Sequence, residues 1–390
     1  MIIKNGQIFT LKNGGSFEPL TILTEEDKII SLNAELPANF DKTEKIIDAA
    51  GCYVIPGLTD IHFHGCDGYD FCDGNYEALA AISSYELKNG ITDICPATMT
   101  LEKEELYRIL ENAAGFAAKQ IACNKSAREP EADLIGIHLE GPFISPHKKG
   151  AQNGDFIQKP DLSLLASFQE KAKGLIRLIT IAPEMPGALD CIREFGSKIS
   201  FSVGHTEADY ETAKKAMDNG ALHVTHLYNA MPPFTHRAPG VIGAAADTPG
   251  CMAELICDGI HIDPAVVRAT FKLFGDDNVI LISDSMSATG KPDGDYSLGG
   301  QAVTVKGKLA TLADGTIAGS VTNLYSCLKG AVEMGIPLVY AVKAATINPC
   351  RSIGAEKELG SIEPGKKAHF LLLDTKDLSI KAIIKGQAVI

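Results

Sequence analysis

Between residues 57 and 285 the chain repeats one unit, a short apolar run followed by a stretch that suits a helix. The runs are GLTDIHFH, ITDICPATM, LIGIHLEGP, LIRLITIAP, ISFSVGH, ALHVTHLYN, MAELICDGIH and NVILISDS, eight in all. Stretches such as NYEALAAISSYELKNG and LEKEELYRILENAAGFAAKQ separate them. Parallel strands need such crossovers, so eight βα units predict an α/β fold, a (β/α)8 TIM barrel of about 250 residues or more. The two ends read differently. MIIKNGQIFT, LTILTEEDKIISLN and EKIIDAAGCYVIPG at the start, and GSIEPGKKAHFLLLDTKDLSIKAIIKGQAVI at the end, alternate strand and turn signals. They predict one small β-sandwich domain built from residues 1–55 and 356–390, with the barrel spanning 56–355. The polar CNKSAREPEAD before the third run predicts an exposed loop.

Composition narrows the partners. A chain of 390 residues, 45% hydrophobic, can bury more than one core. Its formal charge of −13 offers no basic face to nucleic acid or an anionic membrane, so an anionic substrate would need a few local cations. No run reaches the length of a membrane span, and the amino terminus lacks the apolar core of a signal peptide. Ten cysteines without a C-x-x-C pair read as small buried residues of a reducing compartment. A cytoplasmic protein is expected.

Nearly every run ends on a polar group: His62 and His64, Thr98, Glu140, His205, His226, His261 and Asp284. In a barrel the carboxyl ends of the strands converge on one face, where active sites are built. Residues i and i+2 of a strand share a face, so His62 and His64 project together, as a metal half-site or as hydrogen-bonded core histidines. Histidine and carboxylate together suit zinc, iron or manganese. Glu140 closes an apolar strand, where an unpartnered charge would cost several kcal/mol, so coordination or an ion pair is expected there. His205 and His226 are further candidate ligands. His223, three residues before His226, is expected to face the other way and be structural, and His138 to pack beside Glu140. His147, His236 and His369 are expected to be solvated. Asp284 is either a helix cap or a carboxylate that takes and returns a proton beside a metal. Arg237, in the Pro-rich MPPFTHRAPG loop, could hold a phosphate by paired hydrogen bonds, whereas Lys148 and Lys149 read as a solvated face.

PGLTDIHFHG, HLEGPF, KKGAQN, VGHT, THLYNAMPPFTHRAPG, DGIHID, SDSMSATG and AGS, in this order, resemble the amidohydrolase superfamily and, within it, the N-acetylglucosamine-6-phosphate deacetylase family. The likeness spans essentially the whole chain. It implies a metal-dependent hydrolase that releases acetate from N-acetyl-D-glucosamine 6-phosphate, with one or two divalent ions, zinc first and iron, manganese or cobalt as alternatives. By that resemblance Glu140, His205 and His226 match the ligands of the principal metal, and His62 and His64 those of a second. Asp284 matches the catalytic acid/base. Ala151 and Gln152, Asn229 and Ala230, Arg237, His261, and Ala318, Gly319 and Ser320 match substrate contacts, Arg237 that of the phosphate. Some members carry histidine where Gln152 stands, to polarise the acetyl carbonyl; a glutamine cannot become a cation. The resemblance also implies a homodimer.

Three alternatives remain. An N-acetylgalactosamine-6-phosphate deacetylase would act on an epimer differing at one hydroxyl. Cyclic-amide hydrolases usually bridge two metals with a carboxylated lysine on the fourth strand, and LIRLITIAPE contains no lysine. A non-catalytic barrel scaffold would typically have lost ligands that this chain retains.

Overall fold

A computed structural model describes residues 1–33, 45–122 and 130–390. Residues 123–129, which make up most of the CNKSAREPEAD segment, lie outside the described residues. The eight runs form parallel strands in chain order: β1 (Leu58–Asp60), β2 (Ile91–Ile94), β3 (Ile137–Glu140), β4 (Ile176–Ile181), β5 (Ser200–Val203), β6 (His223–Val224), β7 (Met252–Ile256) and β8 (Val279–Ile282). β3 to β8 make one continuous ladder, and β1 and β2 belong to a second. Sparse contacts join the two. Ala97 bridges His138 between β2 and β3. Past the ends of β8 and β1, the Asp284 N–H donates to the His62 carbonyl at 2.9 Å and the His64 N–H to the Ser285 carbonyl at 2.7 Å. The fold is TIM-barrel-like, its parallel sheet distorted and partly curled, with further β-sheets beside it.

The continuous apolar character of NVILIS follows from burial on both strand faces. Val279 and Leu281 join the large core shared with the helices, while Ile280 and Ile282 fall in a separate small cluster with Leu178 and Ile256. Several helices begin where the sequence signals a cap. Tyr76–Lys88 starts where the Asn75 side chain accepts the Ala78 N–H at 2.9 Å. After it the chain turns into β2 at Gly90, whose φ of 86° and contact with Leu371 leave no room for a side chain.

Both ends of the chain meet in two sheets. One is six-stranded, in the order Ala388–Val389, Ile380–Lys385, His369–Asp374, Cys52–Pro56, Gln7–Thr10, Ser16–Pro19. The other runs Lys28–Asn33, Thr21–Glu25, Ile2–Lys4, Ile46–Asp48. Val54, Phe370, Leu372 and Ile384 pack with Ile3 and Ile22 between them. The alternate residues, Ile55, Leu371, Leu373 and Ile383, join the core of the barrel. The centre of the six-stranded sheet is thus buried on both faces, which is why HFLLLD has no polar alternation. His369 begins that strand and is not solvated as expected. It is 6% exposed, with Nδ1 3.0 Å from Asp93 Oδ2 of β2.

A three-stranded antiparallel sheet follows β8: Gly294–Leu298, Gln301–Lys306 and Leu309–Thr311. Gly299 and Gly300, with φ of 55° and 80°, form its two-residue turn, a tight hairpin that needs positive φ at both positions. The sequence reading missed this insertion. Gln301 Nε2 donates to the Ala151 carbonyl, tying the insertion to the loop after β3. Nine cysteines are described, all free and all buried except the half-buried Cys72. Among the described residues no helix is long and apolar enough to cross a membrane.

Candidate active site

Three of the strand-end residues leave the β conformation abruptly. His205, His226 and Asp284 have φ of 46°, 26° and 50°, in or beside the left-handed region that L-residues avoid at a cost on the order of 1–3 kcal/mol each. This reversal also defeats the parity argument for His223. Its ring does turn inward, to Glu254 Oε1 at 3.0 Å, while the backbone N–H of His226 meets the other oxygen of the same carboxylate at 2.9 Å.

The groups at the mouth converge on Glu140. Its Oε1 lies 3.1 Å from His205 Nε2, 3.3 Å from His226 Nε2 and 3.3 Å from His62 Nε2. Its Oε2 lies 3.3 Å from His64 Nε2, which is equally far from Asp284 Oδ1. Glu140 is 1% exposed and His62 0%. Two clusters with donor atoms suited to a metal result, Glu140–His205–His226 and His62–His64–Asp284.

These residues fit a divalent cation. The Nδ1 of His205 lies 2.8 Å from the Lys148 carbonyl, which can only accept, so Nδ1 carries a proton and Nε2 keeps its lone pair when the ring is neutral. That Nε2 stands 3.0 Å from the Nε2 of His226, and His62 Nε2 is buried without a hydrogen-bond partner. Inward-facing lone pairs beside carboxylate oxygens call for a positive charge between them. The electrostatics agree. Burial opposes charging His62 and His64, yet Glu254 and Glu140 hold the first well above the usual imidazole range, and Asp284 and Glu140 lift the second to about 10. Burial likewise opposes ionising Glu140 and Asp284, yet the histidines hold both below the usual carboxylate range. A field that draws protons onto the histidines also draws a cation, which takes the place of those protons.

A cavity of about 400 Å³ opens above this centre. His64, Glu140, His205, His226 and Asp284 form part of its wall, while His62 lies beneath it. Ala151, Gln152, Asn229, Ala230, His261 and Gly319 also line it. Ala318 and Ser320 are buried behind Gly319, and the Ser320 N–H donates to the Asp284 carbonyl at 2.7 Å. Arg237 is exposed and outside the wall. His147, exposed as expected, and Lys148, half-buried, also line the cavity, because the loop after β3 folds back to place the Lys148 carbonyl on His205. Gln152 is 2% exposed: Nε2 donates to Glu140 Oε2 at 2.8 Å and Oε1 accepts the Thr100 N–H at 2.6 Å.

Sequence reasoning missed Glu254 and Asp258. Glu254 sits in MAELICDG, and its signal was the one used for Glu140, a carboxylate inside an apolar strand. Asp258 holds His261 through Nδ1 at 2.8 Å; burial opposes charging that ring, but Asp258 and Asp284 raise its pKa. His138 packs edge-on against His62, with ring centres 4.4 Å apart, and its Nε2 meets Thr180 Oγ1 at 2.8 Å.

Residues 53–389 match the amidohydrolase family. An N-acetylglucosamine-6-phosphate deacetylase of Bacillus subtilis is 37% identical over 366 residues, covering 93% of this chain and 90% of that one. An N-acetylgalactosamine-6-phosphate deacetylase of Escherichia coli O157:H7 is 31% identical, covering 85% and 86%. The solved N-acetyl-D-glucosamine-6-phosphate deacetylase of Mycobacterium smegmatis superposes with a TM-score of 0.90 at 29% identity over all of both chains. A mutant of that enzyme, solved in complex with N-acetyl-D-glucosamine-6-phosphate, gives the same score. The chain belongs to the amidohydrolase family and is a homologue of the N-acetylglucosamine-6-phosphate deacetylases.

Proposed function

We propose that this chain is a metal-dependent hydrolase that converts N-acetyl-D-glucosamine 6-phosphate to D-glucosamine 6-phosphate and acetate. The observation that carries the reading is the convergence of Glu140, His205 and His226, with donor atoms 3.0–3.3 Å apart, beside Asp284 in one cavity. Glu140, His205 and His226 would hold the principal ion, with His62, His64 and Asp284 grouped for a second. Zinc suits this mixed histidine and carboxylate set. When bound, such an ion supplies Lewis acidity, acidifying water and polarising a carbonyl.

The chain's own residues supply the proton traffic. Asp284, held ionised by His64 and His62, accepts a proton from the attacking water as its oxygen bonds to the acetyl carbon. As the C–N bond breaks, Asp284 returns that proton to the nitrogen, which would otherwise depart as a strongly basic amide anion. His261, Asn229, Ala230, Ala151 and the Ala318–Ser320 loop orient the sugar. Gln152 holds Glu140 through one N–H of its amide and, at the cavity wall, has a second N–H to offer the substrate. Arg237, together with Lys148 at the rim, supplies charge for the 6-phosphate.

The enzyme is proposed to work in the cytoplasm as a homodimer, with residues 1–55 and 356–390 forming a supporting β-domain beside the 56–355 barrel. The deciding experiment measures acetate release from the two 6-phosphate epimers and from free N-acetylglucosamine, with metal content assayed on the same sample. Release fastest from the gluco 6-phosphate by metal-loaded protein is expected. Faster release from the galacto epimer would move the assignment to that relative's activity, and metal-free, folded, inactive protein would refute it.

A further inference from the structure

Beneath the mouth, a single carboxylate that no cavity exposes ties two walls of the barrel together. Glu254 on β7 is 0% exposed, and both of its oxygens are engaged. Oε2 lies 2.8 Å from His62 Nδ1 and 2.9 Å from the backbone N–H of His226. Oε1 lies 3.0 Å from His223 Nε2. On the far side of that ring, His223 Nδ1 is 2.5 Å from Ser352 Oγ.

The donors in this chain follow from chemistry. An ionised carboxylate only accepts, so His62 carries its proton on Nδ1 and His223 on Nε2. In a neutral His223 the remaining nitrogen, Nδ1, accepts from the Ser352 hydroxyl. In a neutral His62 the Nε2 lone pair then faces Glu140, 3.3 Å away. The other contact of Oε2 fixes the backbone at His226, the residue held at φ 26°. Three hydrogen bonds offset the cost of burying the charge.

We propose that Glu254 is a positioning residue for the metal centre: it sets the tautomer and direction of His62 and pins the strained turn that presents His226, with His223 and Ser352 as its buttress. This rests on the reading above that the centre binds a divalent cation. Partners that orient a ligating imidazole from its far nitrogen typically change metal affinity 10–100-fold.

The test titrates metal-stripped wild type, Glu254→Ala and Glu254→Gln with zinc against a chromophoric chelator, with circular dichroism confirming the fold. Glu254→Ala is expected to bind at least one zinc about 10–100-fold more weakly. Glu254→Gln is expected to lose less, because its amide oxygen still accepts from His62 Nδ1. Folded Glu254→Ala with every affinity within about two-fold of wild type would overturn the proposal, as would equal losses in both variants. If Glu254→Ala does not fold, Glu254→Gln against wild type decides: several-fold weaker binding supports the proposal, and unchanged binding overturns it. A wild type that takes up no zinc would instead refute the metal reading itself.

Discussion

Gln152 and Glu140 are joined by a 2.8 Å hydrogen bond from the glutamine amide to the carboxylate, and the same glutamine's carbonyl oxygen is taken by the Thr100 N–H. The amide therefore braces the central carboxylate with one of its two N–H donors. Gln152→Ala is expected to weaken metal binding and lower kcat, each by about ten-fold or more. Zinc titration and steady-state kinetics check this. Wild-type values in both would remove Gln152 from the site.

Asp284→Asn keeps the shape of the site and removes its proton carrier. A fall in kcat of about 10²–10⁴ is expected, with KM changed only a few-fold. Turnover near wild type would show that the proton travels by another group.

Chelation should both silence and soften the enzyme. Metal that binds only the folded state, through Glu140, His205 and His226, adds about 2.7 kcal/mol when its concentration is 100 times Kd. Scanning calorimetry of stripped and zinc-loaded protein is expected to show a clear rise in Tm on loading. Identical melting curves would contradict it.

Arg237 stands on an exposed loop, so its role is open to a direct comparison. Arg237→Ala is expected to raise KM for the phosphorylated sugar about ten-fold or more while leaving the free sugar unchanged. Equal effects on both sugars would place the phosphate elsewhere, with Lys148 the next residue to test.

Glu86, in the helix Tyr76–Lys88, is buried, with the Cys66 thiol beside its carboxyl group. Burial, aided by Asp60, pushes its pKa from 4.5 up to about 8. The folded state thus holds a proton that the unfolded state releases, so this group's stability contribution is complete below pH 4.5 and drains away as pH rises to about 8. The slope within that window is about 1.4 kcal/mol per pH unit. Glu86→Gln is expected to lack this decline, so Tm of the variant relative to wild type should climb between pH 5 and 8. A constant difference would mean that Glu86 is not protonated on folding.

The barrel was legible because its physics is periodic: each of the eight runs became a strand, and Glu140, His205, His226 and Asp284 met where strand ends must meet. What escaped was set by tertiary contact. Nothing near His369 in sequence shows that β2 would cover it with Asp93. The inward turn of His223 depends on backbone reversals that no alternation rule contains. The insertion after β8 carries its signal in the Gly-Gly turn, and Glu254 in its charge within MAELICDG.

The strand Cys52–Pro56 runs directly into the segment carrying His62 and His64, and its neighbour on one side is His369–Asp374. A polypeptide emerging from the ribosome would hold every ligand long before it held that neighbour. Assembly of the centre therefore waits on the synthesis of residues 369–374. A product cut short before residue 369 should accumulate as an unfinished barrel rather than as a weakened enzyme.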